Sequence, residues 1–234
     1  MEKKQAFLNG LKDGIPICLG YISVSFTFGM MTAENGLPCW IALLISMTNL
    51  TSAGQFAGTA LILSGSAFLE IAVTTFVINI RYMLMSLSIA QKADPAMTTW
   101  QRMLLSFGIT DEIFAISAQH TGLITAPYLA GLILPPYCGW VLGTLLGSTA
   151  TSLLPAEIRN ALGIAIYGMF FAILIPPAKK VRSVAITIVL AAVVSCVFRY
   201  TPVLSRISGG WVITLCEIIA AGYSALRYPV SEKE

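Results

Sequence analysis

Apolar runs separated by short polar loops dominate this chain. The pattern predicts helical spans over residues 13–33, 67–90, 103–120, 157–175, 183–198 and 211–226. Two longer apolar stretches, 39–64 and 128–154, carry polar interruptions. About 20 apolar residues suffice to cross a bilayer, so each of these segments is a candidate span, with 103–120 amphipathic at best. Polar turns fall at Glu34-Asn35-Gly36, Ser64-Gly65-Ser66 and 121–127.

The first interruption, over 47–58, holds Asn49, Thr51, Ser52, Gly54, Gln55 and Gly58. In hydrocarbon every backbone group must find an internal partner, so such a break is tolerated only inside protein or beside water. It is read as a discontinuous helix whose backbone ends and short polar side chains line a substrate site. A spanning helix with small residues for close packing is the plainer alternative. The second stretch contains Pro135, Pro136 and the polar run Ser148-Thr149-Ala150-Thr151-Ser152, and is read as broken in the same way.

At an offset of 100 residues Trp40 falls on Trp140, Thr48 on Ser148, Asn49 on Thr149, Thr51 on Thr151 and Ser52 on Ser152. Paired interruptions in two halves are the best sequence pointer to a transporter's binding site. The expected organisation is a single membrane domain with repeats 13–90 and 103–177, followed by two extra helices, 183–198 and 211–226. If both broken stretches cross, the repeats are inverted and the loop with Lys92 and Arg102 lies outside, against the positive-inside rule. If both are re-entrant, that loop lies inside. The crossing arrangement is preferred because inverted repeats generate alternating access; the charge of the 91–102 loop argues the other way.

Composition agrees with a membrane protein. The 234 residues are 56% hydrophobic and 11% charged, with a mean hydropathy of +0.81, whereas soluble domains carry about 25% charged residues. The fold class expected is all-α and polytopic, with about seven to eight transmembrane segments, two discontinuous helices and an internal inverted repeat. Net charge is +3, from basic residues dispersed between apolar spans, which points to no nucleic-acid partner. Lys3, Lys4 and Lys12 before the first span, and the short tail with Lys233, place both termini in the cytoplasm. No small-residue cleavage site follows Met1-Glu2-Lys3-Lys4, so the first apolar run is read as a retained helix. The five cysteines are scattered and form neither a disulfide framework nor a metal-ligand spacing. No nucleotide-binding loop or hydrolase motif occurs, so neither an enzyme nor a cofactor is expected.

Arg81 interrupts the apolar run Val77-Ile78-Asn79-Ile80-Arg81-Tyr82-Met83. A charge at mid-bilayer costs roughly 2.5–3.5 kcal/mol on insertion scales, so it needs a partner. Asp111 and Glu112, adjacent acids within a span, are the candidates. The pair could be structural. Alternatively, one acid meets a substrate ammonium or carries a proton, while Arg81 or helix-end amides meet a carboxylate. Glu70 is read as interfacial, and His120 as interfacial rather than chemical. The substrate-binding candidates are Asn49, Thr51, Ser52, Gln55, Asn79, Arg81, Asp111, Glu112, Thr149 and Thr151.

Several blocks carry a family resemblance: 10–16 (Gly-Leu-Lys-Asp-Gly-Ile-Pro), Phe28-Gly29, Ala53-Gly54-Gln55-Phe56-Ala57-Gly58, Asn79-Ile80-Arg81-Tyr82-Met83 and Thr110-Asp111-Glu112-Ile113-Phe114. Together they resemble the AzlC/YgaZ family of bacterial branched-chain amino acid exporters over most of the chain. The resemblance implies a multi-pass permease of the plasma (inner) membrane of a bacterium, exporting valine, leucine, isoleucine or related small amino acids. It also implies a small apolar partner subunit resembling AzlD/YgaH. Its blocks fall on residues the bilayer argument had already selected. Combining the two, the expected mechanism is alternating access with proton antiport. The substrate carboxylate would sit at Thr51–Gln55, its ammonium at Asp111 or Asn79, and its side chain against Phe56, Phe76 and Phe114. A permease for another solute, a non-transporting scaffold and an intramembrane enzyme are the competing readings.

Overall fold

The structure, a computed structural model, describes residues 2–155, 157–158, 171 and 174–228. It is helical throughout the described residues: α1 (Glu2–Glu34), α2 (Cys39–Thr48), α3 (Ser52–Leu63), α4 (Phe68–Lys92), α5 (Thr99–Ser106), α6 (Asp111–Gln119), α7 (Ala126–Ala150), α8 (Arg182–Tyr200) and α9 (Gly209–Arg227). Among the described residues five helices, α1, α4, α7, α8 and α9, are long and apolar enough to cross a membrane. The span expected over 157–175 and the tail with Lys233 lie almost wholly outside the described residues. Two of the expected turns are made by glycines with left-handed backbone, Gly36 (φ 76°) and Gly65 (φ 70°), where a side chain would be strained.

The chain forms two compact units, Met1–Phe56 with Asn79–Gly163, and Ala57–Ile78 with Ile164–Glu234. The first is built on α1 and α7, its most extensive helix pair. Small residues let the two backbones touch along their length. Gly10 lies on the backbone of Tyr128 and Leu132, Gly139 on Cys18, Gly143 on Ile22, and Gly147 on Phe26. Residue numbers rise together along both helices, so α1 and α7 run parallel. Between them and their neighbours sits an apolar cluster that includes Ile17, Tyr21, Ile113, Ile124, Leu132 and Trp140.

A Cβ on Gly147 would overlap the Phe26 carbonyl, a backbone atom that cannot swing aside. Gly147→Leu is therefore expected to abolish recovery of monodisperse protein in detergent. Gly20→Leu, on a face of the same α1 with nothing within 4 Å, should be recovered like the parent. Size-exclusion profiles of the two variants make the comparison.

α2 returns antiparallel to α7. Cys39 Sγ lies 3.0 Å from Ser148 Oγ, Ser46 Oγ lies 2.7 Å from Thr144 Oγ1, and Tyr137 donates to the Met47 carbonyl at 3.2 Å. The end of α4 meets the start of α7: Ile124 N–H donates to Lys92 O at 2.8 Å, and Asp94 N–H to Ile124 O at 2.9 Å.

The expected break in 128–154 is corrected by α7, which is one helix through Pro135 and Pro136 to Ala150, followed by a 3-10 turn at Thr151–Leu153. The hydroxyls explain why. Ser148 and Thr149 both bond back to Leu145 O (3.1 and 2.7 Å), and Thr151 to Gly147 O (2.6 Å), so these three hydroxyls are satisfied along the helix. An interruption instead separates α5 from α6, over 107–110, inside the segment read as one span.

In the second unit Glu70 lies in the first turn of α4, near a span end as expected, and is buried within the protein. Its carboxylate accepts from Ser208 Oγ (2.5 Å) and Gly210 N–H (2.9 Å) at the N-terminus of α9. A carboxylate there satisfies amides that the helix cannot and complements its dipole. Thr74 and Thr214 share a hydrogen bond of 3.2 Å beside it.

Candidate functional site

Short polar side chains stop α2 and restart α3. Asn49 ends α2 with its N–H on Ile45 O (2.8 Å), Thr51 Oγ1 donates to Asn49 Oδ1 (2.6 Å), and α3 begins at Ser52. Such side chains offer the backbone an alternative to helical bonding. Thr110 does the same for α6, accepting the Ile113 N–H as its N-cap.

Gly54, in the first turn of α3, lets Asn79 of α4 lie directly on the backbone. A Cβ on Gly54 would stand 2.5 Å from Asn79 Oδ1 and 2.7 Å from Thr51 Oγ1. Asn79 Oδ1 is itself buried and has no hydrogen-bond partner among the described residues. Orphaned buried acceptors cost about 1–3 kcal/mol and call for an explanation. Two residues further along α4, Arg81 Nη1 donates to Asp111 Oδ1 at 2.9 Å, and Nη2 to the Tyr82 hydroxyl at 3.1 Å.

Residues not singled out as ligands, Tyr21 and Trp140 above all, tie these parts together. The Tyr21 hydroxyl of α1 lies 2.6 Å from Thr110 Oγ1 and 2.5 Å from Glu112 Oε2. Its ring meets Trp140 of α7 edge-on at 5.1 Å. Trp140 Nε1 donates to Gln55 Oε1 (2.9 Å), and Gln55 Nε2 to Ser46 Oγ (2.7 Å), which also pairs with Thr144. Gln55, Ser46 and Thr144 are completely buried. Only an aromatic on the inner face of an apolar span marks Tyr21 and Trp140 in the sequence, and many core residues share that signal.

Asn49, Thr51 and Gln55 are thus joined at the break, with Ser52 at the head of α3 and Asn79 lying on Gly54 beside them; Arg81 pairs with Asp111, and the neighbouring Glu112 is connected to Gln55 through Tyr21 and Trp140. Thr149 and Thr151 lie apart, at the C-terminal end of α7, where the Cys39–Ser148 contact marks the start of α2. Phe56 is buried edge-on against Phe28 at 5.3 Å, and Phe114 packs on the core cluster. Phe76 belongs to the second unit and is exposed. His120 stacks on Tyr128 with ring centres 4.2 Å apart. Among the described residues no group of acids, cysteines and histidine is arranged to hold a metal ion.

Replacing Tyr21 with phenylalanine keeps the ring against Trp140 and removes only the hydroxyl between Thr110 and Glu112. Tyr21→Phe is expected to lower any transport rate by about tenfold, the equivalent of one lost hydrogen bond to a charged group. Protein recovery should stay near the parent's. Initial-rate assays beside a detergent melting curve check both halves.

The family model for AzlC protein matches residues 16–154. That range holds α7 and every residue of the constellation. The inner membrane protein YgaZ of Escherichia coli (strain K12) is 26% identical over 211 residues, covering 87% of this chain and 86% of the relative. A protein of Archaeoglobus fulgidus described as an uncharacterized membrane protein is 33% identical over 181 residues, covering 76% and 79%. One of Helicobacter pylori (strain J99), with the same description, is 28% identical over 153 residues, covering 62% and 66%. No solved structure matches the chain. A family match over more than half of the length, together with membrane-protein relatives aligned over most of it, establishes that this chain is an integral membrane protein of the AzlC family.

Proposed function

We propose that the chain is a permease that exports branched-chain or related small apolar amino acids such as valine across a bacterial inner membrane. It works by proton-coupled alternating access, together with a small membrane partner subunit. The observation that carries the reading is the buried, unpartnered Asn79 Oδ1 at the first turn of α3, two residues from the Arg81–Asp111 pair. A zwitterion supplies what such a place lacks. Its ammonium donates to Asn79 Oδ1 and faces Asp111. Its carboxylate takes the amides at the head of α3, Ser52 to Gly54, where the helix dipole favours an anion. Phe56 and Phe114 supply apolar surface for the branched side chain. Glu112, held by Tyr21 and in no ion pair among the described residues, is the carboxylate proposed to carry a proton.

The test is efflux of preloaded labelled valine from cells carrying this chain, with and without a co-expressed small partner subunit. Efflux faster than from empty-vector cells is expected, and greater with the partner. Unaccelerated efflux in both, with the protein verified in the membrane, removes valine as substrate.

A further inference from the structure

We propose that α2–α3 and α5–α6 are two half-depth hairpins that enter the membrane from opposite faces and meet tip to tip at its middle.

The first hairpin follows from two contacts across the interruption at 49–51. Ser46 and Gln55 are bonded at 2.7 Å, whereas nine residues of continuous helix would separate them by roughly 13 Å. Phe56 meets Phe28, so α3 starts back beside α2 instead of continuing its course. α2 has 10 residues and α3 has 12, lengths of about 15 and 18 Å against a hydrocarbon core of about 30 Å. α2 begins beside Ser148, at the end of α7, passes Thr144 and ends beside Tyr137, near the middle of that helix.

The second hairpin is anchored at the other end of α7. The chain leaves α4 and enters α7 at one place, where Lys92 and Ile124 are bonded and Lys92 Nζ reaches Ala118 O at 2.5 Å. Between them run α5, of 8 residues, and α6, of 9, again about half the depth of a bilayer. Their junction at Thr110 touches Tyr21, near the middle of the apolar part of α1. Tyr21 and Trp140 connect this tip to Gln55 at the other.

The elements recur in step with this arrangement. α1, α4 and α7 end at Glu34, Lys92 and Ala150, each 58 residues after the last. Trp40 and Trp100 are the second residues of α2 and α5, and both are exposed, by 66% and 72%. Tryptophan is enriched at membrane–water interfaces, and these two sit at the bases of the two hairpins. Thr51 and Thr110 directly precede α3 and α6. The repeat therefore has a period near 58 residues rather than 100; Trp40 and Trp140, paired at the longer offset, differ from exposed to buried. The charge conflict also disappears. Lys3, Lys4, Lys12, Lys92 and Arg102 fall on one face, the cytoplasmic one by the positive-inside rule.

On the export reading, which this inference takes over for its consequence, α5–α6 closes the site from the cytoplasm and α2–α3 closes it from outside. The topology itself needs no substrate. In a background with all five cysteines replaced, Trp40→Cys and Trp100→Cys are labelled singly with a membrane-impermeant maleimide. Trp40→Cys should react in intact cells, and Trp100→Cys only after permeabilisation, with at least about a tenfold difference. Gln91→Cys probes the second face again should Trp100→Cys fail to accumulate. Labelling of position 100 or 91 in intact cells overturns the hairpins, since that is what two fully crossing stretches require. The labelling can succeed where valine efflux fails, or the reverse, so the two readings fall separately.

Discussion

Asp111→Asn is expected to bring valine efflux to the empty-vector level while leaving the amount of protein in the membrane unchanged. The carboxylate holds the Arg81 guanidinium at 2.9 Å and faces the place proposed for the substrate ammonium. A hydrogen bond to a charged group contributes about 1.5–3 kcal/mol, so its loss at the transport barrier slows the step by roughly 10- to 150-fold. A structural pair and a functional one differ in the double variant. Arg81→Ala with Asp111→Asn removes both charges, which relieves a merely structural pair by leaving no unpaired ion. Transport should stay absent in the double variant. Recovery of efflux there would assign the pair to structure alone.

Gln55→Leu is the second large effect, and it falls on stability. The Gln55 side chain bridges the Trp140 indole N–H and the Ser46 hydroxyl, and all three residues are buried. Leucine leaves the indole N–H with no acceptor and removes one partner of Ser46, at about 1–3 kcal/mol for each group orphaned. The purified protein should melt several degrees lower or fail to accumulate. Gln55→Glu keeps an acceptor for Trp140 and should lie between. Melting curves of the three proteins in one detergent rank them; an unshifted Gln55→Leu would show that the network is not what joins α2, α3 and α7.

How far these residues could be read from sequence depended on contrast with their surroundings. The interruption at 49–51 stood out because Asn49, Thr51, Ser52 and Gln55 are polar amid apolar residues. Arg81 and Asp111 stood out because charges in apolar runs need partners, and the structure pairs them. The interruption at 107–110 did not, because Phe107-Gly108-Ile109-Thr110 is apolar but for its last residue, so α5 and α6 merged into one span. The polar run misled for the opposite reason: the hydroxyls of Ser148, Thr149 and Thr151 bond back to their own helix, and nothing in the sequence shows it. Glu70 was legible as lying near a span end, but its burial was not, since its donors, Ser208 and Gly210, lie far away along the chain. Tyr21 and Trp140 gave no sign of their part in the network, because their roles lie in what they touch.

Coupled export can be measured in a reconstituted system. Liposomes containing the purified protein with its small partner subunit are loaded with labelled valine and placed in acidic medium. Valine efflux should be faster than from protein-free liposomes, accelerated further by the inward proton gradient and absent with Asp111→Asn. Efflux equal to that of protein-free liposomes, with and without the gradient, would contradict it.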